Sequence, residues 1–81
     1  MRGLATRRFL DEYNAAPAAI QRAFRKQLAF LLRDLRHPSL RAKKYDDVGG
    51  IWQARVTRSW RFYFTIEGDS YILRTIREHP K

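Results

Sequence analysis

Trp52-Gln53-Ala54-Arg55-Val56-Thr57-Arg58-Ser59-Trp60-Arg61-Phe62-Tyr63-Phe64 is the stretch of this 81-residue chain that decides its fold. Trp52, Ala54 and Val56 alternate with Gln53, Arg55 and Thr57, which is the period of a half-buried strand. Residues 60–66 are dense in aromatic and β-branched side chains and predict a second strand, with Arg58-Ser59 as the tight turn between the two. Glu67-Gly68-Asp69-Ser70 then reads as a hairpin turn into a third strand over residues 71–77. If Trp52, Ala54 and Val56 face the interior together with Trp60, Phe62 and Phe64, then Arg55, Arg61 and Tyr63 share the open face. Arg77 and His79 have common parity at the chain's end, His79 lying just past the strand.

Upstream the period lengthens. Thr6 can cap a short helix reaching about Ala15, with Phe9, Leu10 and Tyr13 on its apolar side. Pro17 interrupts it, because a proline disfavours helical geometry in the residue before it yet suits a first helical turn. A second helix is predicted over about residues 17–36. Its stripe of Ile20, Phe24, Leu28, Leu31 and Leu35 opposes Arg22, Arg25, Lys26, Arg33 and Arg36. His37-Pro38-Ser39 ends that helix, and His37 is expected to cap it. Residues 37–50 read as a basic connector containing Lys43 and Lys44 and closing in the turn Asp46-Asp47-Val48-Gly49-Gly50. The expected architecture is α+β: a single domain over residues 1–81, with a helical hairpin (about 6–36) packed on a small antiparallel β-sheet, the meander of residues 51–79. Residues 2–5 are a candidate for one further short strand.

Composition bounds the function. Seventeen Lys+Arg against eight Asp+Glu give a net charge of +9, and thirteen of the cations are arginine. Arginine presents a planar fork that matches phosphate oxygens, so the bias favours a nucleic acid or an acidic protein as partner. Residues 1–47 carry +6 and residues 48–81 carry +3, which places the charge on the folded surface and not on a detachable tail. There is no cysteine, which excludes disulfides, thiolate metal sites and cysteine nucleophiles together. With two histidines and no cysteine, neither a metal nor another cofactor is expected. No apolar run approaches the roughly 20 residues of a membrane span, so the expectation is a cytoplasmic domain without membrane contact.

The open face has a chemical logic. Metal-free cleavage of RNA by its own 2′-hydroxyl needs cations for the charge growing on phosphorus and an acid for the departing 5′-oxygen. Imidazole suits the second task near neutral pH, whereas arginine suits the first and is a poor proton donor. Arg55, Arg61, Arg77 and His79, beside Tyr63, are such a set.

The hairpin of residues 52–64, with the ending Ile76-Arg77-Glu78-His79, resembles the RelE/ParE superfamily of bacterial type II toxins, and most nearly its YoeB-like mRNA interferases. The helical hairpin, the Lys43-Lys44 connector and the length fit as well, so the resemblance covers nearly the whole chain. It implies a toxin held inactive by a cognate antitoxin and, when free, a ribosome-dependent endoribonuclease that cuts mRNA and inhibits translation. Carried over by position, Arg61 matches the family's phosphate-binding, transition-state-stabilising arginine and His79 its catalytic histidine, here as general acid. Arg55 matches a basic position on the RNA backbone, and Lys43 and Lys44 lie near the basic connector.

This chain departs from the pattern in two places. Pro80 stands where YoeB-like chains have a tyrosine, and Leu40-Arg41-Ala42 stands where they carry a glutamate base. No general base is therefore assigned; Glu78, Asp46 and Lys44 are the substitutes at hand. The alternatives are a ParE-like toxin that inhibits DNA gyrase by protein contact, and a catalytically degenerate member that binds only antitoxin or RNA.

Overall fold

A computed structural model describes residues 1–79. In chain order it contains β1 (Arg2–Ala5), α1 (Arg7–Ala15), α2 (Ala18–Arg33), a 3-10 turn (Pro38–Leu40), β2 (Lys43–Asp46), β3 (Ile51–Arg55), β4 (Trp60–Glu67) and β5 (Ser70–Glu78). The strands form one sheet in the order β1-β5-β4-β3-β2. β1 lies parallel to β5, and every other neighbouring pair is antiparallel. The α+β expectation and the meander β3-β4-β5 are both borne out.

One face of the sheet is sealed by the helices. Phe62 and Phe64 are fully buried, and Phe24 of α2 meets Phe62 edge-on at 5.0 Å between ring centroids. Phe9 of α1 lies 5.1 Å from Phe24, and Leu31, Leu73 and Ile76 complete the same core. Such aromatic pairs add about 0.5–1.5 kcal/mol each beyond the area they bury. Thr6 caps α1 as expected, accepting the Phe9 N–H at 3.1 Å, and its hydroxyl also donates to the Arg74 carbonyl of β5. Where β1 stops pairing at Leu73, α1 takes over the sheet edge: the Glu12 carboxylate accepts the Ile76 N–H and the Thr75 hydroxyl.

Three expectations need correction. The second helix ends at Arg33 instead of Arg36, because Asp34 adopts an extended backbone and its carboxylate accepts the Arg36 N–H. Local side-chain bonding of this kind competes with helix continuation. His37 consequently caps the 3-10 turn and not α2: its Nδ1 accepts the Ser39 N–H, and its ring stacks on Phe30 at 3.8 Å. The connector of residues 37–50 holds a strand, β2, pairing with β3 through a bulge between Lys44 and Asp46. Every residue of β2 is exposed, so no apolar alternation marks it, and its charged side chains are typical of a protected sheet edge.

Phe62→Ala is expected to cost about 3–5 kcal/mol of folding free energy by emptying the centre of the core. Val48→Ala, at a fully exposed loop position, should stay within about 0.5 kcal/mol. Urea denaturation of the two variants checks the contrast.

Candidate functional site

The sheet register assembles the site. Arg55 lies directly opposite Arg61, and Arg61 directly opposite Arg77, so three arginines form a row across β3, β4 and β5. The adjoining row on the same face is Lys43, Gln53, Tyr63 and Thr75. Arg41, Lys43, Tyr45, Gln53, Ala54, Arg55, Arg61 and His79 line a cleft of about 500 Å³. Tyr45, Tyr63, Arg77, Glu78 and His79 line its continuation along the sheet. Of the residues singled out in the sequence, Arg55, Arg61, Lys43 and His79 therefore meet in one cleft, with Arg77 and Tyr63 beside it. Lys44 does not join them, since it pairs with Trp52 and has the opposite parity to Lys43.

The turn between β3 and β4 holds the two central groups. One terminal nitrogen of Arg61 donates to the Thr57, Arg58 and Trp60 carbonyls at 2.7, 3.1 and 3.0 Å. The Ser59 carbonyl accepts the His79 N–H at 2.6 Å, which ties the end of the chain to that turn. Arg61 thus keeps a fixed origin while its remaining donors stay available to a ligand. Tyr63 forms the floor of the continuation: Gln53 donates to its hydroxyl at 2.9 Å, Tyr45 packs edge-on at 5.1 Å, and the Arg77 guanidinium lies over its ring at 4.9 Å.

The cleft is cationic without internal compensation. The ion pairs among the described residues, Arg7–Asp11, Arg8–Glu12 and Arg74–Glu67, all lie elsewhere; no carboxylate lines the cleft of Arg55 and Arg61, and Glu78 is the one acidic residue lining its continuation. Asp46, one of the substitute bases, spends a carboxylate oxygen on the Val48 and Gly49 N–H groups of its own turn. Arg55 is held below the usual arginine pKa, first by partial desolvation and then by repulsion from Arg41, Arg61 and Arg58. Its Nε is shut off from solvent and has no hydrogen-bond partner. Repulsion of that kind is relieved by a bound anion, which is what a phosphate group would supply.

Sequence reasoning missed three contributors. Gln27 of α2 is buried, donates to the Ser39 and Arg55 carbonyls at 3.0 and 2.9 Å, and accepts the Ser39 hydroxyl. It clamps the 3-10 turn to the end of β3. Arg41 has a left-handed backbone with φ of 46°, a conformation that costs a non-glycine residue about 1–3 kcal/mol. Tyr45 stands on the strand the connector concealed. The only available signal was the polar Gln27 on the margin of an apolar stripe; neither Arg41's backbone nor β2 leaves a trace in the sequence pattern. Pro80 and Lys81 lie outside the described residues.

The sequence matches no protein-family model and no curated protein. Solved structures do match over nearly the whole chain. A YoeB/ParE toxin from Agrobacterium tumefaciens superposes with a TM-score of 0.80 at 18% identity, covering 99% of this chain and 100% of that one. The archaeal RelE–RelB complex from Pyrococcus horikoshii gives 0.81 at 13% identity, covering 99% and 96%. The isolated RelE toxin of E. coli gives 0.79 at 12% identity, covering 99% and 85%. The chain has the fold of the RelE/ParE superfamily toxins, as the hairpin resemblance implied.

Arg55→Met is expected to raise the melting temperature, because the charged form is the one the folded state disfavours. The sign follows from the lowered pKa: below it the folded protein carries a cation that the unfolded chain holds more cheaply. The gap between wild type and variant should narrow as salt screens the neighbouring arginines. Thermal melts at neutral pH over a range of salt concentrations check both points.

Proposed function

We propose that this chain is the toxin of a type II toxin–antitoxin pair, a metal-independent, ribosome-dependent endoribonuclease acting on mRNA in the cytoplasm. The observation that carries the reading is the convergence of Arg55, Arg61, Lys43 and His79 in one cleft without a carboxylate. Its support from other proteins is the fold shared with the RelE and YafQ toxins of E. coli and with toxins solved in complex with antitoxins. A cognate antitoxin with an acidic segment is the partner that would neutralise this face.

In the proposed reaction the RNA phosphate lies against Arg61, with Arg55 and Lys43 adding positive potential and Arg77 flanking. The 2′-oxygen attacks phosphorus, and the bond from phosphorus to the 5′-oxygen breaks. Charge growing on the phosphate oxygens is met by the free donors of Arg61, whose guanidinium the turn already orients. His79, protonated, gives its proton to the departing 5′-oxygen. The products are a 2′,3′-cyclic phosphate and a 5′-hydroxyl. The 2′-hydroxyl proton passes to solvent water, since no carboxylate lines the cleft that holds Arg55, Arg61 and His79.

Induced expression in bacteria, with mapping of mRNA 5′ ends, tests the reading. Ribosome-dependent cleavage should fall at least about 10²-fold in Arg61→Ala, by loss of charge stabilisation, and in His79→Ala, by loss of the acid. Arg61→Lys should not restore it, because an ammonium cannot hold the turn carbonyls and a phosphate in the same planar fork. A DNA-damage response without cleaved mRNA would point to gyrase instead, and absence of growth arrest would reject a toxin role.

A further inference from the structure

Arg55 is the wall between two clefts. On one side are Arg61, Lys43 and His79. On the other, between α2 and the 3-10 turn, a cleft of about 410 Å³ is lined by Ala23, Lys26, Gln27, Pro38, Ser39, Arg41, Arg55 and Val56. Arg41 and Arg55 belong to both. No acidic residue lines the second cleft, and its polar neutral groups are already committed. The Gln27 amide is used by Ser39 and Arg55, and the Ser39 N–H and hydroxyl are used by His37 and Gln27.

What remains to meet a ligand there is positive charge alone: Lys26, Arg41 and Arg55. Arg41 is also foremost among the neighbouring charges that act on Arg55. Two further observations support a built site. Arg41 is the one non-glycine residue with positive φ among the described residues, and that backbone places it on the rim both clefts share. The Gln27 clamp fixes the distance between the two walls that carry Arg41 and Arg55. The groove on the far side of the cleft differs in kind, because its Arg8 and Arg74 are paired with Glu12 and Glu67.

We propose that the cleft between α2 and the 3-10 turn is a second phosphate subsite, so that single-stranded RNA lies with two of its phosphates on either side of Arg55. The first meets Arg61 and His79, and the second meets Lys26 and Arg41. This rests on the RNA reading above and extends it. The recognised unit is a trinucleotide segment with two phosphates, held by backbone charge.

Lys26 is the variant of choice because it is exposed on α2 and lines only the second cleft. The probes are a 2′-methoxy dinucleoside monophosphate and a 2′-methoxy trinucleoside diphosphate, which cannot be cleaved by 2′-attack. Binding is followed by titration at several salt concentrations around 0.15 M, and matched melting temperatures establish that the variant folds. With wild type, the trinucleotide's log-affinity should depend on log-salt more steeply than the dinucleotide's, by about 0.7 for one added phosphate. Lys26→Glu should abolish that increment and weaken the trinucleotide about fivefold or more, leaving the dinucleotide within about twofold. An unchanged trinucleotide affinity and slope in Lys26→Glu, with dinucleotide binding still weakened by Arg61→Ala, would overturn the second subsite alone. No binding of either probe by wild type, or dinucleotide binding indifferent to Arg61→Ala, would overturn phosphate binding by the free protein at Arg61 and the second subsite with it, whereas the ribosome-dependent reading falls only if the mRNA ends are unchanged.

Discussion

Phe62 and Phe64 are buried against the helices only if Arg61 and Tyr63 face the other way. That strict alternation along β4 is the constraint on which everything else here depends. A slip of one residue would send arginine into the core and aromatic rings into water. The hydrophobic energy of the core therefore fixes the register of β4 on β3 and β5, and the register in turn lines up Arg55, Arg61 and Arg77. Like charges directly opposed across strands are unfavourable. The fold carries three in a row, held by the side of the sheet that is apolar.

The second layer of organisation is backbone chemistry around the turn of residues 56–59. Its carbonyls accept Arg61 and His79, while the Arg55 carbonyl just before it accepts Gln27. A guanidinium anchored through one nitrogen is oriented before any ligand arrives, and the backbone of His79 is tied to the same turn. Preorganisation of this sort is where electrostatic catalysis takes most of its effect. The expense appears elsewhere, in the uncompensated arginines and in the left-handed backbone of Arg41.

Much of this was legible in the sequence because it follows from parity. Alternation over residues 51–66 sets the meander and its open face, Thr6 sets the start of α1, and the turn at Gly68-Asp69 sets the last hairpin. The parts that were not legible are those whose cause is non-local or polar. β2 pairs through its backbone while exposing every side chain, so it has no hydrophobic signature. Asp34 ended α2 three residues early by bonding to the Arg36 N–H, a choice that the apolar stripe running on to Leu35 concealed. Gln27 acts only through partners 12 and 28 residues away. Lys43 and Lys44 looked equivalent, and only the pairing of β2 with β3 separates them.

On the proposed reading, this open face carries out 2′-hydroxyl attack with arginine and histidine. The most direct test is the chemistry of the ends it leaves. RNA fragments produced by the purified protein on programmed ribosomes should carry 2′,3′-cyclic phosphate and 5′-hydroxyl termini, read by mass spectrometry, and should be absent with Arg61→Ala. Fragments ending in 3′-hydroxyl and 5′-phosphate would contradict the account, because they require water and not the 2′-oxygen as the attacking group.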